Sequence, residues 1–216
     1  MHSIYSIWGW FAIGFFALLG FIAQLIFIPL TWPFDRNRVV TGYCLRLAGR
    51  AGAFLNPMWR FRVAGAKGFQ RPKRAVYVSN HCSQSDIFVI CSVPWEMKWL
   101  CKASLFKIPV FGWSLSFTGD IPVKRGQRNS AQDAMTRCRQ YVENGMPVMI
   151  FPEGTRSKTD EMLPFKDGAF RLAIESQAAL VPLAVTGTSK ALPKHDWRFG
   201  EADAKVQVGP AHFNGW

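Results

Sequence analysis

Acidic side chains are few in this sequence. It contains 14 Asp and Glu residues against 26 Lys and Arg residues, which gives a formal net charge of +12 at pH 7. A surplus of this size indicates a polyanionic partner, because a strongly positive surface attracts negative charge. On charge alone, that partner is a nucleic acid, the headgroups of anionic lipids or a phosphorylated substrate.

The sequence also lacks the low hydrophobicity that is typical of disordered chains. Apolar residues make up 49% of the 216 residues, and there are 18 Phe and 9 Trp. Disorder requires low hydrophobicity, because a disordered chain has too little apolar surface to offset the entropy of ordering. There is no internal repeat and no low-complexity tract. The length suffices for one domain with a core, plus a small accessory segment.

The five cysteines show no pattern of a metal site or a disulfide framework. They are Cys44, Cys82, Cys91, Cys101 and Cys138. Their number is odd, no CxxC occurs, and no group of Cys and His has the spacing of a zinc site. We therefore expect neither a metal nor disulfides, and we interpret the thiols as small buried side chains in a reducing compartment.

The first 34 residues contain no Asp, Glu, Lys or Arg. As a helix rising about 1.5 Å per residue, the apolar run at 4–30 is about 40 Å long, enough to cross a hydrocarbon core of about 30 Å with tilt. The run lacks the basic start and the small-residue cleavage site of a signal peptide. Trp8, Trp10 and Trp32 suit a membrane interface. We predict a membrane-embedded helix, with a buried core helix as the alternative.

The next segment, residues 35–74, carries ten basic residues and one acid. Apolar side chains recur at helical spacing from Val40 to Leu55, with Arg46 and Arg50 one turn apart elsewhere on the helix surface. This pattern predicts a basic amphipathic helix on an anionic membrane surface, and an ordinary solvated helix is the alternative. The charge bias places the following residues on the cytoplasmic face of the inner membrane.

From residue 75 onward, short β-rich runs alternate with helical segments. The predicted strands are 75–79, 98–101, 120–123, 148–151, 180–186 and 205–208, and the predicted helices lie near 84–92, 104–117, 129–144 and 167–177. Such alternation predicts an α/β domain with a mixed, largely parallel sheet flanked by helices. We divide the chain into an N-terminal helical segment, 1–66, and an α/β domain, 67–216, at the basic stretch 67–74.

His81 and Asp86 follow the first of these strands. Five residues turn through about 500° on a helix, and on a strand the two side chains would point to opposite faces. A strand–turn–helix junction brings the carboxylate to one imidazole nitrogen and leaves the other nitrogen to take a proton. This is the orienting half of a triad in which the substrate hydroxyl is the nucleophile. A structural histidine at a helix start is the alternative.

Two further motifs follow other strands. The sequence FPEGTRS at 151–157 is a glycine-containing turn with Thr, Arg and Ser donors, which suits an oxyanion or a phosphate. The sequence GDIPVKR at 119–125 places Lys124 and Arg125 at a strand end. The alternatives are a solvated strand end for these two cations and an ion pair between Glu153 and Arg156.

In chain order, NHxxxxD, GxIxVxR, FPEGTRS and VPLAV (181–185) resemble the four motif blocks of the glycerophospholipid acyltransferase family. Residues 163–170 resemble the F-K-x-G segment that follows the third block, and the match runs from about residue 57 to 190. The resemblance implies a membrane-bound enzyme that transfers a fatty acyl group from acyl-CoA or acyl-carrier protein to the sn-2 hydroxyl of 1-acylglycerol-3-phosphate, forming phosphatidic acid. It implies no other cofactor and no metal.

The resemblance also implies residue roles and partners. His81 is the general base and Asp86 its orienting partner. Arg125 and Lys102 contact phosphate or cofactor groups, and the acceptor's glycerol phosphate meets Glu153, Gly154, Thr155 and Arg156. The implied partners are a lysophospholipid acceptor, the acyl donor and an anionic membrane surface, with no nucleic acid.

Four alternatives remain open at this point. In the first, the acceptor is another lyso-lipid, such as a lyso-ornithine lipid, because Pro122 and Lys124 depart from the residues common in the second block. In the second, the chain is a non-catalytic, membrane-anchored anion binder. In the third, it is a hydrolase that uses the same His–Asp pair on water. In the fourth, Cys82 beside His81 is the nucleophile, although adjacent side chains point apart and no activating partner is evident.

Overall fold

Seven strands and six helices make up the residues described by the computed structural model, which are 2–157, 161–193 and 196–213. The helices are α1 (His2–Thr31), α2 (Val39–Phe54), α3 (Asp86–Ile90), α4 (Phe111–Thr118), α5 (Arg128–Glu143) and α6 (Gly168–Glu175). The strands are β1 (Trp59–Ala64), β2 (Ala75–Ser79), β3 (Lys98–Lys102), β4 (Ile121–Val123), β5 (Val148–Ile150), β6 (Ala179–Thr186) and β7 (Ala202–Val208).

The strands form one sheet in the order β1-β7-β6-β2-β5-β3-β4. Neighbours are parallel throughout except for β6 and β7, which are antiparallel. The prediction of a mixed, largely parallel sheet is therefore confirmed. The carboxyl ends of β2, β3, β4, β5 and β6 lie at one edge, where open α/β sheets place their binding sites.

The central strand β2 is buried on both faces, which explains its continuous apolar sequence. Because side chains alternate along a strand, Tyr77 faces a core layer with Val89 of α3, whereas Val76 faces a second layer with Cys138 of α5 and Leu172 of α6. Packing on both faces of the sheet therefore holds in place the strand ends that carry the candidate site.

Strand β1 was not predicted. It pairs in parallel with β7, so that Trp59 lies opposite Ala202, and it forms one end of the sheet. It lies before the predicted boundary between residues 66 and 67. The division into two domains stays a prediction, but that boundary does not coincide with the edge of the sheet.

The predicted helix at 104–117 is two elements. A 3₁₀ turn at Ala103–Lys107 is followed by Pro109 and Val110, and only then does α4 begin. Proline disfavours helical backbone in the residue before it, and Ile108 is accordingly extended. Val110 has φ 63°, in the left-handed region, so the chain changes direction there.

Helix α1 packs by a face of small and polar residues. Gly20 lies against Ala48 of α2, and Gln24 donates to the carbonyl oxygen of Thr41 at 3.0 Å. Most other side chains of α1 are apolar and exposed. Among the described residues, α1 is the one helix long and apolar enough, by length and composition, to cross a membrane, with a mean hydropathy of 2.5.

The interpretation of Arg46 as a surface residue of α2 is wrong. Arg46 is buried, with 8% of its surface exposed, and its Nη2 atom lies 2.6 and 2.8 Å from the two oxygens of Asp120. Its Nε atom is 3.5 Å from Glu96, which also binds the buried Lys98 at 3.1 Å. We call these four side chains the buried ion cluster. It holds Arg46 of α2 against the sheet, because the acids that neutralise Arg46 lie there.

Candidate active site

The turn between β2 and α3 brings the predicted pair together. The Nδ1 atom of His81 lies 2.8 Å from Oδ2 of Asp86. The same carboxylate oxygen accepts hydrogen bonds from the backbone N–H groups of Cys82 at 2.8 Å and Ser83 at 2.9 Å. Asp86 is fully buried, so these three bonds fix its carboxylate and, through it, the imidazole plane.

The imidazole of His81 is also held from the side. It stacks on the ring of Phe151, which follows β5, with centroids 4.0 Å apart and planes 18° apart. With Nδ1 occupied by Asp86, Nε2 is the nitrogen left to exchange a proton, and it has no hydrogen-bond partner within the described part of the chain. His81 is mostly buried but not sealed, with 7% of its surface exposed.

Glu153 connects this turn to another loop. Its Oε1 atom accepts a hydrogen bond from the backbone N–H of His81 at 2.7 Å, and its Oε2 atom accepts one from the N–H of Leu163 at 3.0 Å. Only 3% of Glu153 is exposed, and no ion pair joins it to Arg156, although both residues are described. The geometry therefore favours a positioning role for Glu153 over the predicted contact with an acceptor.

Asn80 ties the turn to β6. Its side-chain Nδ2 donates to the carbonyl oxygen of Val185 at 2.8 Å, and its Oδ1 accepts from the N–H of Val185 at 2.8 Å. The amide thus replaces a pair of strand hydrogen bonds at the place where β2 has already ended. This anchor prevents the residue before His81 from shifting relative to the sheet.

A cationic cleft of about 330 Å³ opens beside Phe151. Lys102 at the end of β3 and Lys124 and Arg125 after β4 line it. Burial lowers the pKa of Arg125, and so does the nearby charge of Arg156. Like charges held this close indicate a place for an anion, because a bound anion removes their repulsion. The ring of Phe151 lines the cleft and also contacts the candidate base.

Comparison with known proteins identifies the family. The model of the acyltransferase family matches residues 60–186. The chain belongs to the acyltransferase family. It is 43% identical over 181 residues to a chloroplastic 1-acyl-sn-glycerol-3-phosphate acyltransferase of Brassica napus, covering 83% of this chain and 52% of that protein. It is 31% identical over 145 residues to the 1-acyl-sn-glycerol-3-phosphate acyltransferase of Haemophilus influenzae, covering 66% and 60%.

A solved structure shares the fold of this chain. It is the crystal structure of the 1-acyl-sn-glycerophosphate acyltransferase from Thermotoga maritima, with a TM-score of 0.75 and 18% identity, covering 99% of this chain and 86% of that one. The chain spans about half the length of several curated relatives that it matches, including 52% of the Brassica napus protein.

No role was predicted from the sequence for Lys166, which lies in the cationic cleft. Lys166 lines the cleft and passes over Gly154, whose φ is 71°, so closely that a Cβ at Gly154 would lie 2.8 Å from the Lys166 Nζ atom. The left-handed backbone favours glycine there, whereas the flexible end of Lys166 could move away from a larger side chain. The resemblance of 163–170 to the F-K-x-G segment was the signal that could have identified Lys166.

The remaining predicted site residues lie on the 151–157 turn. Thr155 is exposed, and Arg156 is half-buried near Arg125. Among the described residues, no group of three or more His, Cys, Asp or Glu side chains has the arrangement of a metal site. The expectation that the chain uses no metal stays a prediction.

Proposed function

We propose that this chain is a membrane-bound acyltransferase that transfers a fatty acyl group from acyl-CoA or acyl-carrier protein to the sn-2 hydroxyl of 1-acylglycerol-3-phosphate. The product is phosphatidic acid. The observation that carries the proposal is the oriented His81–Asp86 pair beside the cationic cleft. The names of the curated relatives support the same acceptor and the same reaction.

His81 acts as the general base. Its Nε2 removes the proton of the acceptor hydroxyl as that oxygen attacks the thioester carbonyl carbon. The C–S bond then breaks, and the leaving thiolate takes the proton from the imidazolium. Asp86 keeps the proton of the neutral imidazole on Nδ1 and stabilises the imidazolium that forms. General base catalysis of this kind contributes about 10²–10⁴-fold to the rate.

The cations of the cleft hold the acceptor's phosphate. Arg125 and Arg156 offer planar forks that match phosphate oxygens, and Lys102 and Lys166 add two point charges at the cleft. Fixing the phosphate places the glycerol hydroxyl near His81, so phosphate binding also orients the hydroxyl for the reaction.

The packing of α1 supports attachment to one leaflet of a membrane. Ser6 near its start accepts a hydrogen bond from the N–H of Phe199, and Gln24 near its end donates to Thr41. At about 1.5 Å per residue, these contacts are about 27 Å apart, so α1 lies along the domain for most of its length. A helix held in this way enters one leaflet without crossing the bilayer, since the charged domain cannot follow it.

Exposed apolar side chains on α1, α2 and α4, and in the turn that follows α1, form the surface that would enter the leaflet. They include Phe11, Phe15, Leu18, Ile22, Leu25, Trp32, Phe34, Tyr43, Leu47, Phe54 and Trp113. We place the domain on the cytoplasmic face of the inner membrane, because charge is absent before residue 35 and strongly basic after it.

The test is acyl transfer by the purified chain in vesicles, with one radiolabelled acyl donor and a panel of lyso-acceptors. We expect a new ester with 1-acylglycerol-3-phosphate, and less than a tenth of that turnover for His81→Ala. His212→Ala is the matched control, because the described contacts of this exposed residue are made by its backbone. Free fatty acid without a new ester would show a hydrolase. Lipid binding without any transfer would show an anion binder.

A further inference from the structure

A second cleft lies along β1, at the far end of the sheet from the strands that carry Lys102 and Arg125. It has a volume of about 730 Å³, within the range of ligand pockets. Its lining includes the cations Arg50, Arg60, Arg62 and Lys67 and the aromatic side chain of Phe54. None of these residues lines the cleft at the candidate active site.

The charge of this β1 cleft is of one sign. Four of its lining residues are cations, and none is an acid. Arg62 pairs with Asp203 at 2.6 Å. Arg50, Arg60 and Lys67 are exposed and make no ion pair or side-chain hydrogen bond with the residues that the structure describes. Three unneutralised cations around one cavity match an anion that carries several oxygens.

The other half of the cleft is apolar, and it continues onto α2. Tyr43, Leu47, Arg50 and Phe54 follow one another at intervals of four, three and four residues, so they form one exposed stripe on that helix. Phe54 is 83% exposed and belongs both to the stripe and to the cleft. An occupant of the cleft therefore meets cations at one end and an apolar surface, open to the surroundings, at the other.

We propose that the β1 cleft binds one anionic membrane phospholipid, with its headgroup phosphate on Arg50, Arg60 and Lys67 and its upper acyl chain against Phe54. This lipid is distinct from the acceptor, and its binding rests on the proposed membrane attachment. A free phosphate would use the cations but leave the aromatic wall unused. An acidic protein would leave Phe54 and the stripe exposed. A phospholipid contacts both halves, because it joins phosphate to hydrocarbon.

The test compares two triple variants of equal charge in an Arg125→Gln/Arg156→Gln background, which weakens anion binding at the acceptor cleft equally in both variants. The cleft variant is Arg50→Gln/Arg60→Gln/Lys67→Gln. The matched control, Arg128→Gln/Arg137→Gln/Lys205→Gln, removes three exposed cations that also lack ion-pair partners among the described residues. Vesicle flotation with phosphatidylcholine, with and without phosphatidylglycerol, measures preference for the anionic lipid. Native mass spectrometry in detergent counts the retained phosphatidylglycerol.

We expect the cleft variant to lose at least about tenfold of its preference for phosphatidylglycerol vesicles, since each basic residue near an anionic surface contributes about fivefold or more. The single retained phosphatidylglycerol should also disappear. The control should change by less than about twofold and should keep its lipid. Equal losses in both variants would overturn the proposal, since general surface charge would then suffice. So would retention of the lipid by the cleft variant.

Transfer activity separates this proposal from the proposed function. The three cleft substitutions in the otherwise unaltered chain should leave turnover in detergent within about twofold, because the cleft lies outside the proposed catalytic machinery. Absence of transfer by the unaltered chain would refute the reaction but not the lipid site. Unchanged thermal unfolding temperatures of the variants confirm that they fold, as expected for exposed residues without partners.

Discussion

Replacing Arg46 with Met tests whether the buried ion cluster holds α2 on the sheet. Methionine has a similar length and keeps the contact with Trp99, whose ring centre lies 4.9 Å from the guanidinium carbon. The substitution removes the guanidinium that lies 2.6 Å from Asp120. Among the described residues, the N–H of Trp99 still donates a hydrogen bond to that buried carboxylate, at 2.8 Å. The substitution therefore creates an uncompensated buried charge.

The expected loss follows from the burial. Breaking a buried ion pair by removing one partner costs about 3–5 kcal/mol, out of about 5–15 kcal/mol for a whole domain. For a domain of this size, about 2–4 °C of unfolding temperature is lost per kcal/mol. We expect Arg46→Met to unfold about 6–20 °C below the unaltered protein. Burial alone would lower the pKa of Arg46, but attraction by Asp120 and Glu96 outweighs it and raises that pKa.

The assay is thermal unfolding in detergent, followed by circular dichroism, and α2 supplies its own control. Arg50 lies one turn from Arg46, is exposed and has no ion-pair partner among the described residues. Arg50→Met should change the free energy of unfolding by less than about 0.5 kcal/mol. Adding Asp120→Asn to Arg46→Met should cost less than the sum of the single substitutions. Equal stability of Arg46→Met and Arg50→Met would refute the reasoning.

Three further predictions concern the site and the cluster. Asp86→Asn should lower kcat about 10²–10⁴-fold without unfolding the chain, because an amide cannot accept the three bonds of that oxygen and also stabilise the His81 imidazolium; unchanged kcat would contradict this. Glu153→Gln should lower kcat more than it raises the acceptor KM, because its NH₂ group must face the N–H of His81 or Leu163; an effect on KM alone would indicate acceptor contact. Burial raises the pKa of Glu96 above 4.5, so above pH 4.5 the folded chain keeps a proton that the unfolded chain has released. The free energy of unfolding should therefore fall as pH rises through that window. Denaturant titrations at a series of pH values should show that this fall is smaller for Glu96→Gln.

The central part of the site was predictable from local pattern. A buried apolar strand followed by NHxxxxD and a second apolar run leaves only a turn in which His81 and Asp86 can meet, and they do so at 2.8 Å. The FPEGTRS turn and Arg125 were each predicted to follow a strand, and they follow β5 and β4. The carboxyl ends of parallel strands lie at the same edge of a sheet, so motifs that follow such strands in the sequence are expected to lie close together.

The end strand β1 was missed although its signal was present. Trp59, Phe61 and Val63 alternate with Arg60 and Arg62, which is the period of a strand with one buried face. The arginines belong to a long basic segment, and that composition suggested a membrane-surface helix and linker. The alternation of apolar and basic residues predicts a strand better than the composition predicts a helix, because alternation indicates which side chains are buried.

The different fates of Arg46 and Arg50 were not predictable from sequence. The two residues have the same chemistry and lie one turn apart, and what separates them is the position of Glu96 and Asp120. Those acids lie just before β3 and β4, far along the chain, so no local sequence pattern predicts their contact with Arg46. The same holds for Glu153, whose carboxylate finds the N–H of His81 only once β2 and β5 are adjacent.

The pairing of β1 with β7 has a consequence for synthesis. Trp59 lies opposite Ala202, so the first strand to leave the ribosome waits for the last one before its place in the sheet exists. Helices α1 and α2 precede Glu96 and Asp120 in the chain and are synthesised before them. Until those acids are made, Arg46 lacks its partners and α2 cannot take its final place on the sheet. If the proposed membrane attachment holds, insertion of α1 can then precede completion of the fold.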